Sequence, residues 1–261
     1  MKNLDSILKT DIAITKKIVI ELIQCIDLTS LNNTDNKNSI QKLIDKANLG
    51  FNNVNPAAVC VFSNFGDFVK SQINKNINVA VVSTCFPTGQ TITEAKLLEI
   101  ECVNKTNIDE VDVVINRGEF LNGNIEFVKN EISEIRKRLP NKHLKVILET
   151  GELKLNEDIL IASKIAMDAG ADFIKTSTGK SHTGSTPQAV LLMCQEIKKF
   201  YLETGKKIGI KPAGGIRTIH DALNIYKIIK HVLGDEWLNP KLFRIGASSL
   251  YDNLIKTYQN L

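Results

Sequence analysis

The feature that most constrains this chain is a rhythm. Eight short apolar runs, at 23–28, 57–62, 78–85, 110–116, 144–150, 171–177, 208–213 and 242–247, are each followed by a longer segment with helical periodicity. Parallel strands need a crossover of a dozen or more residues, and a helix is the element that fills it. The intervening segments have that pattern, as in Ile40, Leu43, Ile44 and Ala47, or Ile125, Val128, Ile132, Ile135 and Leu139. Terminal signals agree: Asn156 precedes Ile159, Pro187 opens the segment running to Tyr201, and Gly170 closes the one before the sixth run. Without a linker rich in Pro, Gly or Ser, this predicts one α/β domain over residues 1–261. The architecture is a closed (β/α)8 TIM barrel with an extra N-terminal helix ahead of Ile23, placed to cover the barrel floor. An open doubly wound sheet is the competing architecture, but the first run is not followed by a Gly-x-Gly-x-x-Gly turn.

Composition narrows the partners. The net charge of +4 is mildly basic and its lysines are spread along the helical segments, which favours a small anionic ligand over nucleic acid. Cys25, Cys60, Cys85, Cys102 and Cys194 are odd in number and form no Cys-x-x-Cys pair, as expected of reduced core thiols in a cytoplasmic protein. No apolar run reaches membrane-spanning length, and Met1-Lys2-Asn3-Leu4-Asp5 lacks the apolar core of a signal peptide. His143, His182, His220 and His231 are scattered without metal-ligand spacing, so no metal site is expected. Arg136-Lys137-Arg138 reads as a solvated face at a helix end, and Trp237 as a packing residue.

In such barrels chemistry sits at the carboxyl ends of the strands. Asp27, Asn116, Glu149 and Lys175 are expected to end the first, fourth, fifth and sixth strands; Lys211 lies in the seventh, and Asp112 shares the inward face of the fourth with Val114. A lysine attacks a carbonyl only as the free amine, and its ordinary pKa leaves little of that form at neutral pH. Burial and a second ammonium lower that pKa, while a carboxylate holds the second lysine charged and moves protons. Lys175, Lys211 and Asp112 fit these roles. Electrostatics alone allows either lysine to be the nucleophile, and a purely structural salt-bridged triad remains the alternative. Three glycine-rich turns follow the last strands: Gly179-Lys180, Gly214-Gly215-Ile216-Arg217, and Gly246-Ala247-Ser248-Ser249. Backbone N–H groups at helix N-termini, the serine hydroxyls, Lys180 and Arg217 would together make a phosphate site.

Phe173-Ile174-Lys175-Thr176-Ser177-Thr178-Gly179 and Lys211-Pro212-Ala213-Gly214-Gly215-Ile216-Arg217 closely resemble the two lysine motifs of the deoxyribose-phosphate aldolases, a class I aldolase family. Glu110-Val111-Asp112-Val113-Val114, Leu144-Lys145-Val146-Ile147-Leu148-Glu149-Thr150-Gly151-Glu152-Leu153, Phe243-Arg244-Ile245-Gly246-Ala247-Ser248-Ser249 and Ile26-Asp27-Leu28-Thr29 resemble other parts in the right order. The resemblance implies metal-free, reversible cleavage of 2-deoxy-D-ribose 5-phosphate to acetaldehyde and D-glyceraldehyde 3-phosphate in nucleoside catabolism. Lys175 would form the imine, Lys211 tune it, and Asp112 transfer protons with a bound water. It further implies a homodimer or a monomer. The chain departs from some members at Ile115-Asn116-Arg117-Gly118, where they carry a Phe-Pro-Tyr-Arg-like loop. Some also end in a catalytic tail tyrosine, and the sequence leaves the role of Tyr258 open. Cys60 matches a cysteine that reacts with aldehydes in some relatives, and here is expected to be a buried thiol. Another lysine-dependent aldolase or an isomerase of sugar phosphates, and a non-catalytic sugar-phosphate binder, are the rival functions.

Overall fold

The structure, a computed structural model, describes residues 3–261. Its strands are β1 (Ile26–Thr29), β2 (Ala58–Phe62), β3 (Asn78–Ser83), β4 (Glu110–Val114), β5 (His143–Ile147), β6 (Phe173–Lys175), β7 (Gly209–Lys211) and β8 (Ile245–Ala247). Eleven α-helices surround them: α1 (Leu4–Leu8), α2 (Lys16–Gln24), α3 (Lys37–Leu49), α4 (Gly66–Lys70), α5 (Thr93–Asn104), α6 (Arg117–Leu121), α7 (Ile125–Arg138), α8 (Asn156–Asp168), α9 (Pro187–Thr204), α10 (Ile219–Val232) and α11 (Leu250–Gln259). All strand pairings are parallel, in the order β7-β6-β5-β4-β3-β2-β1-β8. Parallel bridges Ile210–Phe243 and Ala213–Gly246 join the two ends, which closes the barrel.

Alternation along each strand divides the oil from the charge. In β4, Val111 and Val113 pack outward against the helices, whereas Glu110 and Asp112 point into the barrel. The apolar core is therefore the sleeve between strands and helices. Local chemistry fixes the helix ends: the Asn36 side chain and Ser39 form a capping box on α3, Thr218 and Asp221 form one on α10, and Thr186 caps α9 with Pro187 at its first position. Gly205 ends α9 in the left-handed conformation.

Two expectations need correction at the N-terminus. Ile23 belongs to α2 and not to the first strand, because Val19, Leu22 and Ile23 form one buried stripe at helical spacing. There are two leading helices, and they thicken the outer ring: α1 packs on α9 and α10, and α2 on α11. The floor carries an asparagine-rich cleft instead, where Asn55, Asn76 and Asn78 stand beside Arg244. Trp237 is fully buried and donates Nε1–H to Ile208 O at 3.0 Å, the packing role expected of it.

Candidate active site

The barrel interior is ionic. Asp27, Glu110, Asp112, Lys145, Lys175, Lys211 and Arg244 all point inward and are 0–3% exposed. Lys175 and Lys211 are register partners at the ends of β6 and β7, so their side chains leave the sheet side by side. Both Nζ atoms donate to Asp112 Oδ2, each at 2.7 Å. Lys145 donates to Asp112 Oδ1 at 2.9 Å and also contacts Glu110. Asp27 stands 2.5 Å from Lys211 and 2.6 Å from Arg244, which also reaches Glu110 at 2.8 Å. Small residues make this crowding fit. A Cβ on Gly209 would lie 2.2 Å from the Phe173 ring, and one on Gly246 would lie 3.3 Å from Lys211 Cε.

Three carboxylates thus face four basic groups, and the charges balance when one base is neutral. The environments single out which. Burial pushes the Lys175 pKa down, against the pull of Asp112 and with the help of the Lys211 charge. Burial acts on Lys211 in the same sense, but Asp112 and Asp27 outweigh it and hold that ammonium charged. Burial also opposes ionisation of Asp112, and Lys145, Lys175 and Lys211 overcome it, leaving the carboxyl far below its ordinary range. Lys175 is the group best able to present a free amine.

Above this cluster opens a cleft of about 550 Å³. Lys175 forms its base, and Gly179 and Lys180 line it from the β6–α9 loop. Gly214, Gly215 and Arg217 follow β7 along another wall, and Gly246, Ser248 and Ser249 follow β8. All the residues expected to hold phosphate therefore share one cleft with the lysine. Gly179, Gly214 and Gly215 have φ of 77°, 82° and 80°, conformations that favour glycine. One part of the expectation fails: Gly179 and Lys180 sit in a loop of 11 residues, 176–186, between β6 and α9, so no helix N-terminus follows them directly. Ser249, the residue before α11, lies at a helix start within the cleft, and Asp252 in the first turn of that helix lines it too.

Other positions shift. Asp27 is the second residue of β1, deep in the barrel, and Asn116 and Glu149 lie just beyond β4 and β5. Asn116 caps α6 by accepting the Glu119 N–H, and Glu149 adopts φ 55° and turns into the rim. Cys25, Cys60 and Cys194 are buried, but Cys85 and Cys102 are exposed and are not core thiols. Burial raises the pKa of Cys60, which lies among Leu31, Ala80 and Val82. Of the basic run in α7, Arg136 bridges to Asp172, Arg138 to Glu101 and Glu134, and Lys137 to Glu134; of the three, only Lys137 is mostly exposed. Tyr258 packs edge-on against Phe51 and accepts a hydrogen bond from Asn52 Nδ2. That α3–β2 connection is at the floor, the opposite end of the barrel from Lys175. Among the described residues no group of three or more His, Cys, Asp or Glu side chains is arranged around a metal position, and no helix is long and apolar enough to cross a membrane.

Sequence reasoning quoted Glu110, Lys145 and Arg244 within motifs but missed that they complete the ion cluster. The available signal was alternation: Lys145 is flanked by Leu144 and Val146 as Asp112 is by Val111 and Val113.

A closed parallel barrel whose last strands carry two buried lysines on one carboxylate, beneath a cleft of glycines, hydroxyls and cations, has the form of a lysine-dependent barrel aldolase. Comparison with known proteins agrees. Residues 21–252 match the DeoC/LacD family aldolase, and the chain belongs to that family. It is 42% identical over 251 residues to the deoxyribose-phosphate aldolase of Homo sapiens, covering 90% of this chain and 79% of that one. It is likewise 42% identical over 247 residues to the deoxyribose-phosphate aldolase of Bos taurus, covering 89% and 78%. Among solved structures, the aldolase QR15 superposes with a TM-score of 0.74 at 29% identity, covering 92% and 96% of the two chains. The tetrameric deoxyribose phosphate aldolase of Aeropyrum pernix shares the fold, with a TM-score of 0.75 at 23% identity and 99% coverage of each chain.

Proposed function

We propose that this chain, working as one domain over residues 1–261, is a 2-deoxy-D-ribose 5-phosphate aldolase acting through an imine on Lys175. The observation that carries this reading is the shared oxygen of Asp112, which binds Lys175 and Lys211 while their environments drive the two pKa values apart. The neutral Lys175 amine attacks the C1 aldehyde of the open-chain sugar, and loss of water gives a protonated imine. Asp112, through a bound water, accepts the proton of the C3 hydroxyl; the C2–C3 bond breaks and its electron pair moves toward the imine nitrogen. Glyceraldehyde 3-phosphate leaves, and an enamine of acetaldehyde remains on Lys175. Protonation at C2 and hydrolysis release acetaldehyde and restore the amine. Lys211 stays cationic and keeps its neighbour deprotonated.

Lys180, Arg217, Ser248, Ser249 and the backbone N–H groups around Gly179, Gly214, Gly215 and Gly246 hold the phosphate. Anchoring that end fixes the reacting carbons over Lys175, so binding energy is used for orientation. The chemistry uses the lysine itself and needs no metal or other cofactor, and the partners are a sugar phosphate and acetaldehyde, not nucleic acid or membrane. A cytoplasmic site and a role in deoxyribonucleoside catabolism follow the substrate chemistry and the absence of paired cysteines, and a homodimer is the assembly we assign from the resemblance.

The test is mass spectrometry after incubation with acetaldehyde and a reductant that traps imines. A two-carbon adduct on Lys175, absent from Lys175→Ala, is expected together with cleavage of deoxyribose 5-phosphate. An unmodified Lys175 would overturn the reading and leave a non-catalytic sugar-phosphate binder.

A further inference from the structure

Arg117 is a cation at the rim that does not line the cleft. Its guanidinium is 2.6 Å from Glu152 Oε2 and 3.5 Å from Glu149 Oε2. On its other side Nη2 donates to the carbonyls of Pro87 and Thr88, each at 3.1 Å. One side chain therefore ties together the loops after β3, β4 and β5. The planar fork of arginine suits this; a lysine ammonium cannot span the same partners.

Glu149 carries the connection onward. Its carboxylate is fully buried and accepts from the Thr178 N–H at 3.2 Å, the Thr178 hydroxyl at 2.5 Å and the Ser181 hydroxyl at 2.9 Å. Because the Thr178 hydroxyl gives its proton to Glu149, its oxygen is free to accept the Lys180 backbone N–H, at 3.0 Å. The φ of 55° at Glu149 is an unusual conformation for a residue with a Cβ, and it aims the carboxylate at this loop. The relay ends on Lys180, an exposed side chain that lines the cleft.

Charge gives the relay a second effect. Arg117 supplies the positive charge that the buried Glu149 carboxylate faces, 3.5 Å away, and it holds Glu152 as well. We propose that the Arg117–Glu149 pair is a positioning device that fixes the 178–181 segment and keeps Lys180 available to the phosphate end of the substrate. This rests on the aldolase reading above and adds two residues to it that act through Lys180 without touching substrate.

The test compares Arg117→Met, Arg117→Lys and the near-isosteric Glu149→Gln with the unmodified chain, on deoxyribose 5-phosphate and on unphosphorylated 2-deoxyribose. For Arg117→Met and Glu149→Gln, KM for the phosphorylated sugar rises about tenfold with kcat within about threefold, and kcat/KM for the unphosphorylated sugar changes less than about threefold. Arg117→Lys falls between. Inorganic phosphate, titrated calorimetrically, binds the two variants about tenfold more weakly. Equal losses on both sugars would reduce the pair to a scaffold and overturn the inference, as would unchanged KM and phosphate affinity in Glu149→Gln. An unmodified chain that binds phosphate but cleaves neither sugar would defeat the aldolase reading separately, and phosphate affinity would still decide the role of Arg117 and Glu149.

Discussion

Lys175 and Lys211 pair in register across β6 and β7 and place their Nζ atoms on one oxygen of Asp112, at 2.7 Å each, yet their environments shift their pKa values in opposite directions. The difference lies behind them: Lys211 also has Asp27 at 2.5 Å, and Lys175 has no second carboxylate among the described residues.

Imine trapping on Lys175 should rise with pH as the residue deprotonates and level off below the ordinary lysine value of 10.5. Lys211→Met removes a neighbouring cation, so the acid limb should move to higher pH. A limb that stays in place or moves lower would show that Lys211 does not tune Lys175.

Acid stability follows from Asp112. Its pKa is depressed in the fold, so its contribution is present above the ordinary value of 3.8 and is lost as pH falls below it toward the folded value. Asp112→Asn should unfold more easily at pH 7, by about 3 kcal/mol for a broken buried pair, and should show a shallower loss of stability between pH 7 and acid. Chemical denaturation at several pH values measures both.

Lys145 contacts Glu110 and Asp112 and never reaches the cleft. Lys145→Met should destabilise the chain by roughly 3–5 kcal/mol, since it leaves carboxylates without their partner. Adding Glu110→Gln should recover part of that loss. A double-mutant cycle with no coupling would show that the two do not act as a pair.

Gly209→Ala should be destabilising because the new methyl would meet the Phe173 ring at 2.2 Å. A cost of about 1–3 kcal/mol or more is expected, relieved by Phe173→Leu in the same chain. Thermal unfolding of the single and double variants tests this.

Tyr258→Phe should leave deoxyribose 5-phosphate cleavage within about twofold, because the hydroxyl meets only a floor-side Asn52 and this exposed contact is weak. A large fall in kcat would mean that the C-terminal helix visits the cleft.

The sequence reveals those features whose cause is local. Alternation and apolar runs set the eight strands, and a lysine after Phe173-Ile174 announces an ion inside a barrel. What it does not reveal depends on closure. Glu110, Lys145 and Arg244 each look like the ordinary polar partner of an apolar neighbour, and only the circular order of strands brings Lys145 and Arg244 together onto Asp27 and Glu110. Ile23 is ambiguous because a short apolar run suits a helix stripe or a strand. The roles of Arg117 and Glu149 are hidden for another reason: one requires a left-handed backbone turn, and the other joins loops more than 25 residues apart.

The ionic interior also bears on transplantation. A protein engineer who copied only Lys175, Lys211 and Asp112 into another barrel would move Lys211 without Asp27 and Asp112 without Lys145, and the guest residues would settle into other protonation states. The portable unit of this chemistry is the seven-residue ionic set, together with the two glycines, Gly209 and Gly246, that leave it room.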